Sequence, residues 1–225
     1  MTTPAERIVS CRRCTRLRAH CREVARVKRR AYREETYWGK PVPSFGVRSP
    51  RLLVVGLAPG AHGANRTGRI FTGDSSGDWL YRALHTCGFA NRAESVRAGD
   101  GLRLKDTVVT CAARCAPPQN KLTREELTAC RPYLVEELQR FRRLRVAIVL
   151  GRIAHDAFGR AWVAAGRPAF DPRPKFAHGA RHAVEGFVLL CSYHPSRQNT
   201  QTGRLSRAMF HAVFRRAQRL LQPER

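Results

Sequence analysis

At 225 residues the chain can bury the core of one domain. Its formal net charge of +25, with only five lysines among 42 basic residues, exceeds what solubility requires. It favours a phosphate-rich partner, because guanidinium groups fork onto phosphate oxygens and stack on bases. The polar, basic start does not fit a signal peptide and no apolar run approaches the ~20 residues of a membrane span, so the expectation is a cytoplasmic protein without membrane contact.

Residues 1–50 read as an arm, charged and partly helical, that becomes extended through "YWGKPVPSFGVRSP". Four short apolar runs follow: "LLVVG" at 52–56, "TVVT" at 107–110, "VAIVLG" at 146–151 and "FVLLCS" at 187–192. None alternates with polar residues, as expected of strands covered on both faces. Between them, "SGDWLYRALHTCGF" places Trp79, Leu80, Ala83 and Leu84 on one helical face. "LTREELTACRPYLVEELQRFRRL" opens with a capping box at Thr123 and Glu126, and Pro132 is expected to kink or divide that helix. "GRIAHDAFGRAWVAAG" and "RLSRAMFHAVFRRAQRLL" carry the same periodicity.

Alternating strands and helices predict an α/β fold of three αβα layers around a central, mainly parallel, four-stranded sheet. The chain is read as one domain, 1–225, with the arm at 1–50 and the α/β core at 51–225. Ligands of such sheets bind beyond the carboxyl ends of the strands. Three segments begin there and should converge on one cleft: "GLAPG", "CAARCAPPQNK" and "SYHPSRQNTQTGR". The first opens a glycine-rich stretch, "GLAPGAHGANRTGRIFTGD", at 56–74. It has neither the Lys-Ser/Thr of a P-loop nor the spacing of a dinucleotide fingerprint.

Eight cysteines in a reducing compartment argue for a metal site or free thiols over a disulfide framework. Cys11 and Cys14 form a C-x2-C turn, and Cys115 and Cys130 make a wider second pair. Four thiolates from two distant segments can bind Zn²⁺ or an iron–sulfur cluster, and the wide pair suits a larger cluster better. Cys87 and Cys191 read as buried apolar side chains, whereas spacing does not exclude Cys21 and Cys111 as ligands. The metal site would tie down the arm.

"YWGKPVPSFG", "GLAPGAHGANRTGRIFTGD", "RCAPPQNK" and "HPSRQNTQTGRL", in that order, resemble the uracil-DNA glycosylase superfamily, and within it the iron–sulfur family 5, or type b. The resemblance runs over nearly the whole chain. It implies a [4Fe–4S] cluster on Cys11, Cys14, Cys115 and Cys130, and removal of uracil and other altered bases from DNA to leave an abasic site. The glycine-rich turn, Gly56, Leu57, Ala58, Pro59 and Gly60, would then hold an extruded base. Phe71 would be its stacking platform, and such stacking is worth roughly 1–3 kcal/mol per base. His194 would hydrogen-bond the base carbonyl and stabilise charge on the departing base, and Asn120 would meet the base edge. Arg66, Arg69, Arg197 and Arg204 would contact DNA.

One departure stands out. Related branches carry an acidic residue or an asparagine in the first motif to position water, and here 56–60 offers none. Asp74, at the end of "FTGD", becomes the candidate for that role. Cys111 stands where the type-a branch places a uracil-reading asparagine. A pocket with few polar readers should accept bulkier lesions such as hypoxanthine and ethenocytosine. The rival readings are a non-catalytic iron–sulfur nucleic-acid-binding protein and a zinc-stabilised nucleotide- or RNA-processing enzyme. A monomer is expected.

Overall fold

The structure, a computed structural model, describes residues 2–222. Its sheet has six strands: β1 Phe45–Gly46, β2 Leu52–Gly56, β3 Thr107–Cys111, β4 Val146–Leu150, β5 Arg181–Val184 and β6 Phe187–Ser192, in the spatial order β1-β3-β2-β4-β6-β5. β2 pairs in parallel with β3 and β4, and β4 in parallel with β6. β1 and β5 are antiparallel edges. The four-strand expectation is thereby corrected. β1 spans two residues and β5 alternates between exposed and half-buried positions. Neither carries the apolar run that marks a strand covered on both faces, which is the pattern of an edge.

Every residue of β2, β3 and β4 is buried, and alternate side chains serve opposite layers. Leu52, Val54, Ile148 and Leu190 meet Leu80 and Leu84 of helix α4 and Phe210 and Phe214 of helix α8. Leu53, Val55, Val149 and Leu189 meet Leu134 and Leu138 of helix α5 and Phe158 and Trp162 of helix α6. These helices span Ser75–Thr86 (α4), Arg124–Arg140 (α5), Arg152–Ala164 (α6) and Arg207–Leu221 (α8). A hydrophobic core thus lies on each side of the sheet.

Thr123 and Glu126 form the reciprocal capping box at the start of α5. Pro132 does not divide the helix, and α5 continues through it. Pro132 and Thr128 are both exposed, so the carbonyl that loses a donor at the proline is left to water and not to the core. The first part of the chain forms α1 (Pro4–Val9) and α2 (Thr15–Val27), and two one-turn helices, α3 (Ala64–Thr67) and α7 (Arg197–Gln201), lie in the loops after β2 and β6. Leu17 and Cys21 of α2 pack on Cys115 and Ala116 just beyond β3.

Candidate active site

β2 and β4 are neighbours, and the chain runs on from β2 toward β3 on one side and from β4 toward β5 and β6 on the other, so the loops part at their carboxyl ends and open a crevice there. A cavity of about 750 Å³ occupies it. Each inner strand contributes wall: Leu57 and Ala58 follow β2, Asn120 follows β3, Gly151 follows β4 and His194 follows β6. Phe71 and Asp74 line the same cavity. The three segments expected to converge do so.

Phe71 is buried and its backbone has φ +51°. A bulky residue in the left-handed region costs about 1–3 kcal/mol and persists only where its surroundings over-determine it. Here the Tyr81 hydroxyl donates to the Ile70 carbonyl at 2.8 Å, and the next side chain, Thr72, lies in a buried cluster with Arg69 and Ser95. The Phe71 ring reaches back over β2, where a Cβ on Gly56 would stand 2.6 Å from the ring edge. Its other neighbour is the His194 ring, with centroids 5.9 Å apart.

Asp74 is the N-cap of α4, and its Oδ1 accepts from the Gly77 amide at 3.0 Å. Oδ2 lies over Gly60 and Gly63. A Cβ at Gly63 would come within 2.0 Å of that oxygen, so the glycines of the loop make room for a carboxylate. Burial raises the Asp74 pKa, with Asp78 adding to the effect and the Gly77 and Ser76 amides and Arg66 opposing it. The carboxylate is a stronger base than an exposed aspartate.

His194 is pushed down to about 4 by burial and is a neutral imidazole at physiological pH. The Asn199 side chain donates to the His194 carbonyl at 2.8 Å. The Ser76 hydroxyl, on the first turn of α4, donates to the Pro195 carbonyl at 3.0 Å. The loops that carry Asp74 and His194 are therefore tied to each other.

Among the other expected residues, Asn120 is exposed at the cavity rim with φ +58°. Pro59 is buried beside the cavity and does not line it. Arg197 is exposed and lines the mouth, and Arg204 is exposed with its guanidinium 4.5 Å above the Tyr193 ring. Arg66 and Arg69 are 7% and 6% exposed. Arg69 donates to both Asp100 oxygens, to Ser95 and to Thr72, so neither arginine is presented as a free basic surface. Sequence reasoning missed Arg29 and Tyr32 of the arm, and His62, all of which line the cavity. His62 lies inside a quoted motif, but nothing local marks Arg29 and Tyr32, which sit at a 3-10 turn (Arg30–Tyr32) after α2.

A second site lies on the arm side. Cys11, Cys14, Cys115 and Cys130 line one small cavity together with Arg114. Cys21 and Cys111 do not line it. Cys21 is buried beside it, its thiol 3.6 Å from the Ala116 carbonyl, and Cys111 packs under Gly56. Among the described residues no three Cys, His, Asp or Glu side chains form a group suited to a single metal ion. Burial pushes the Cys130 thiol up to about 11, and a bound cation would offset the cost of four thiolates there. Arg114 is 2% exposed. Its Nη2 is ion-paired to Glu137 at 2.8 Å, yet Nε and Nη2 make no hydrogen bond. A buried cation on the wall of this cavity, its Nε without a partner, complements anionic thiolates.

The uracil DNA glycosylase superfamily model matches residues 43–218. A type-5 uracil-DNA glycosylase of Thermus thermophilus is 50% identical over 218 residues, 95% of this chain and 94% of that protein. Its counterpart in Mycobacterium tuberculosis is 48% identical over 212 residues, 93% of this chain and 78% of that protein. The type-5 protein of Pyrobaculum aerophilum is 41% identical over 211 residues, 94% of this chain and 89% of that protein.

Proposed function

The chain belongs to the uracil-DNA glycosylase superfamily, and on that footing we infer that it is a DNA-repair hydrolase cleaving the N-glycosidic bond of uracil in DNA. The observation that carries the assignment is the meeting of Phe71 and Asp74, from the loop after β2, with His194, from the loop after β6, in one cavity beyond the strand ends. The non-catalytic reading has no need of that meeting and is not favoured.

A base inside a duplex is out of reach of any side chain, so the target nucleotide rotates out of the stack into the cavity. Phe71 offers the flat apolar face that replaces base stacking. As the C1′–N1 bond breaks, negative charge grows on the uracil carbonyl oxygens and positive charge on the sugar. His194, neutral, donates a hydrogen bond to the carbonyl oxygen; a neutral donor matches developing charge without having to lose its own proton. Asp74 lines the same cavity. Its carboxylate stabilises the cationic sugar and takes a proton from the water that bonds to C1′. The proton balance closes when the departing uracil anion acquires a proton at N1.

The glycine-rich turn at 56–60 offers no side-chain donor or acceptor to be left unpaired by a wrong base, which supports acceptance of hypoxanthine and ethenocytosine beside uracil. We also read residues 1–225 as one unit whose arm is fastened by a [4Fe–4S] cluster on Cys11, Cys14, Cys115 and Cys130. The meeting of the four thiols at one small cavity and the buried Arg114 cation on its wall support that assignment. Its contribution there is structural, since ligation of an arm adds folding free energy. The exposure of Arg197, at the cavity mouth, and of Arg204 supports contact of both with the DNA backbone.

The test is a labelled duplex with one uracil opposite guanine, incubated with protein and then heated in alkali. Strand breaks at the uracil position, with free uracil released, are expected. Intact strands from folded, DNA-binding protein would overturn the assignment.

A further inference from the structure

Arg66 has a task that its charge alone does not suggest. We propose that Arg66 is a positioning residue that fixes the Gly73–Asp74 peptide, and with it the reacting carboxylate, and joins both to the N-terminal arm. The proposal rests on the reading of Asp74 as the base.

The guanidinium is a clasp across the loop. Nε donates to the His62 carbonyl at 2.8 Å and Nη2 to the Gly73 carbonyl at 3.0 Å, so one planar group spans the two ends of the 62–73 segment. The Gly73 carbonyl belongs to the peptide that leads into Asp74. Nη1 is paired with Glu35, and the Tyr32 ring lies 3.8 Å from the guanidinium carbon; both residues come from the arm. The backbone repeats the link, since the Trp38 amide donates to the Arg66 carbonyl at 2.9 Å and the Gly39 amide to that of Asn65 at 3.0 Å. The fit is close: a Cβ on Gly73 would stand 2.4 Å from Nη2. A side chain 7% exposed with every nitrogen engaged is not free to fork onto a phosphate.

The same cation bears on Asp74 electrostatically. It lowers the proton affinity of a carboxylate that burial and Asp78 raise, alongside the Ser76 and Gly77 amides. His62 and His194, from the loops facing Asp74, are held toward the neutral form by burial. Arg29, Arg152 and Arg197 line the outer cavity.

The experiment compares wild type, Arg66→Met and Arg66→Lys for single-turnover uracil excision across pH, DNA Kd and melting temperature, with Asp74→Asn alongside. Arg66→Met is expected to lose about ten- to hundredfold in rate, to move the acid limb of the rate profile upward, and to keep the wild-type Kd. Arg66→Lys keeps the charge but cannot bridge both carbonyls, so its rate falls while the limb stays. If Arg66→Met does not fold, Arg66→Lys carries the test, and an unchanged rate overturns the proposal. A weakened Kd with an unchanged saturating rate makes Arg66 a phosphate ligand and also overturns it. An acid limb that survives in Asp74→Asn overturns the reading of Asp74 as base. A limb lost in Asp74→Asn but unmoved in Arg66→Met overturns only the role given to Arg66.

Discussion

Asp74 uses its two oxygens for different ends. Oδ1 caps α4, and Oδ2 is held over the glycine turn at the cavity wall. The cap and the base are therefore one residue, although in a sequence they look like alternatives. Burial raises its pKa, so the folded state binds more protons than the unfolded state between the ordinary and the raised value. Stability then falls as pH rises through that window, and above it the full cost is present. Asp74→Asn retains the cap and removes the cost. It is expected to melt at a higher temperature than wild type at neutral pH, and a lower melting temperature would contradict the strained-carboxylate account. His194 behaves oppositely. With its pKa at about 4 it is neutral where the enzyme works, so the acid limb belongs to Asp74. His194→Gln is expected to lower the single-turnover rate roughly 10²–10³-fold at every pH without moving the limb; disappearance of the limb would assign the titration to the histidine. That Phe71, Asp74 and His194 line one cavity was legible because each sits in an ordered motif. Arg66 and Arg69 were misplaced because a sequence records charge and not burial, and both are enclosed by partners 31 residues away or nearer.

At the scale of elements, the inner strands were legible as unbroken apolar runs. The edges were not, because β1 is too short and β5 too polar to carry that pattern. The arm was legible as an attachment, but its reach into the cavity through Arg29 and Tyr32 was not, since the turn that places them has no periodicity to read. α1 and α2 are tethered by ion pairs of Arg7 with Glu136 and of Arg16 with Glu126, by the Asn65 side chain donating to the Cys21 carbonyl, and by the thiol cavity. The ion pairs are partly exposed, and such pairs contribute little. The thiol site should therefore dominate. If the proposed cluster is bound there, Cys14→Ser is expected to lose its visible absorbance and to make residues 1–40 the first site of proteolysis, while the sheet keeps its circular dichroism. An arm equally resistant after cluster loss would show that packing of Leu17 and Cys21 is sufficient.

The whole molecule carries a formal charge of +25, and its use is a matter of distribution. A protein that neutralises Z phosphates loses affinity with salt at a slope of about −0.9Z. Arg197 and Arg204 are exposed and Arg69 is enclosed. Arg197→Ala and Arg204→Ala should each reduce the magnitude of the slope by about 1. Arg69→Lys should leave it unchanged, and a reduced slope there would mean that the buried pair with Asp100 opens on DNA. No helix among the described residues is long and apolar enough to cross a membrane.

The central claim is that Asp74 and His194 act together at one cavity on a flipped uracil. The most direct measurement is the single-turnover rate of uracil release, with enzyme in excess over a duplex bearing one uracil, for wild type, Asp74→Asn, His194→Ala and the double variant. Both single variants are expected to fold, bind DNA and lose at least about 100-fold in rate, with the double variant losing less than the product of the two because they serve one transition state. Single variants that bind DNA and release uracil at the wild-type rate would place the chemistry elsewhere.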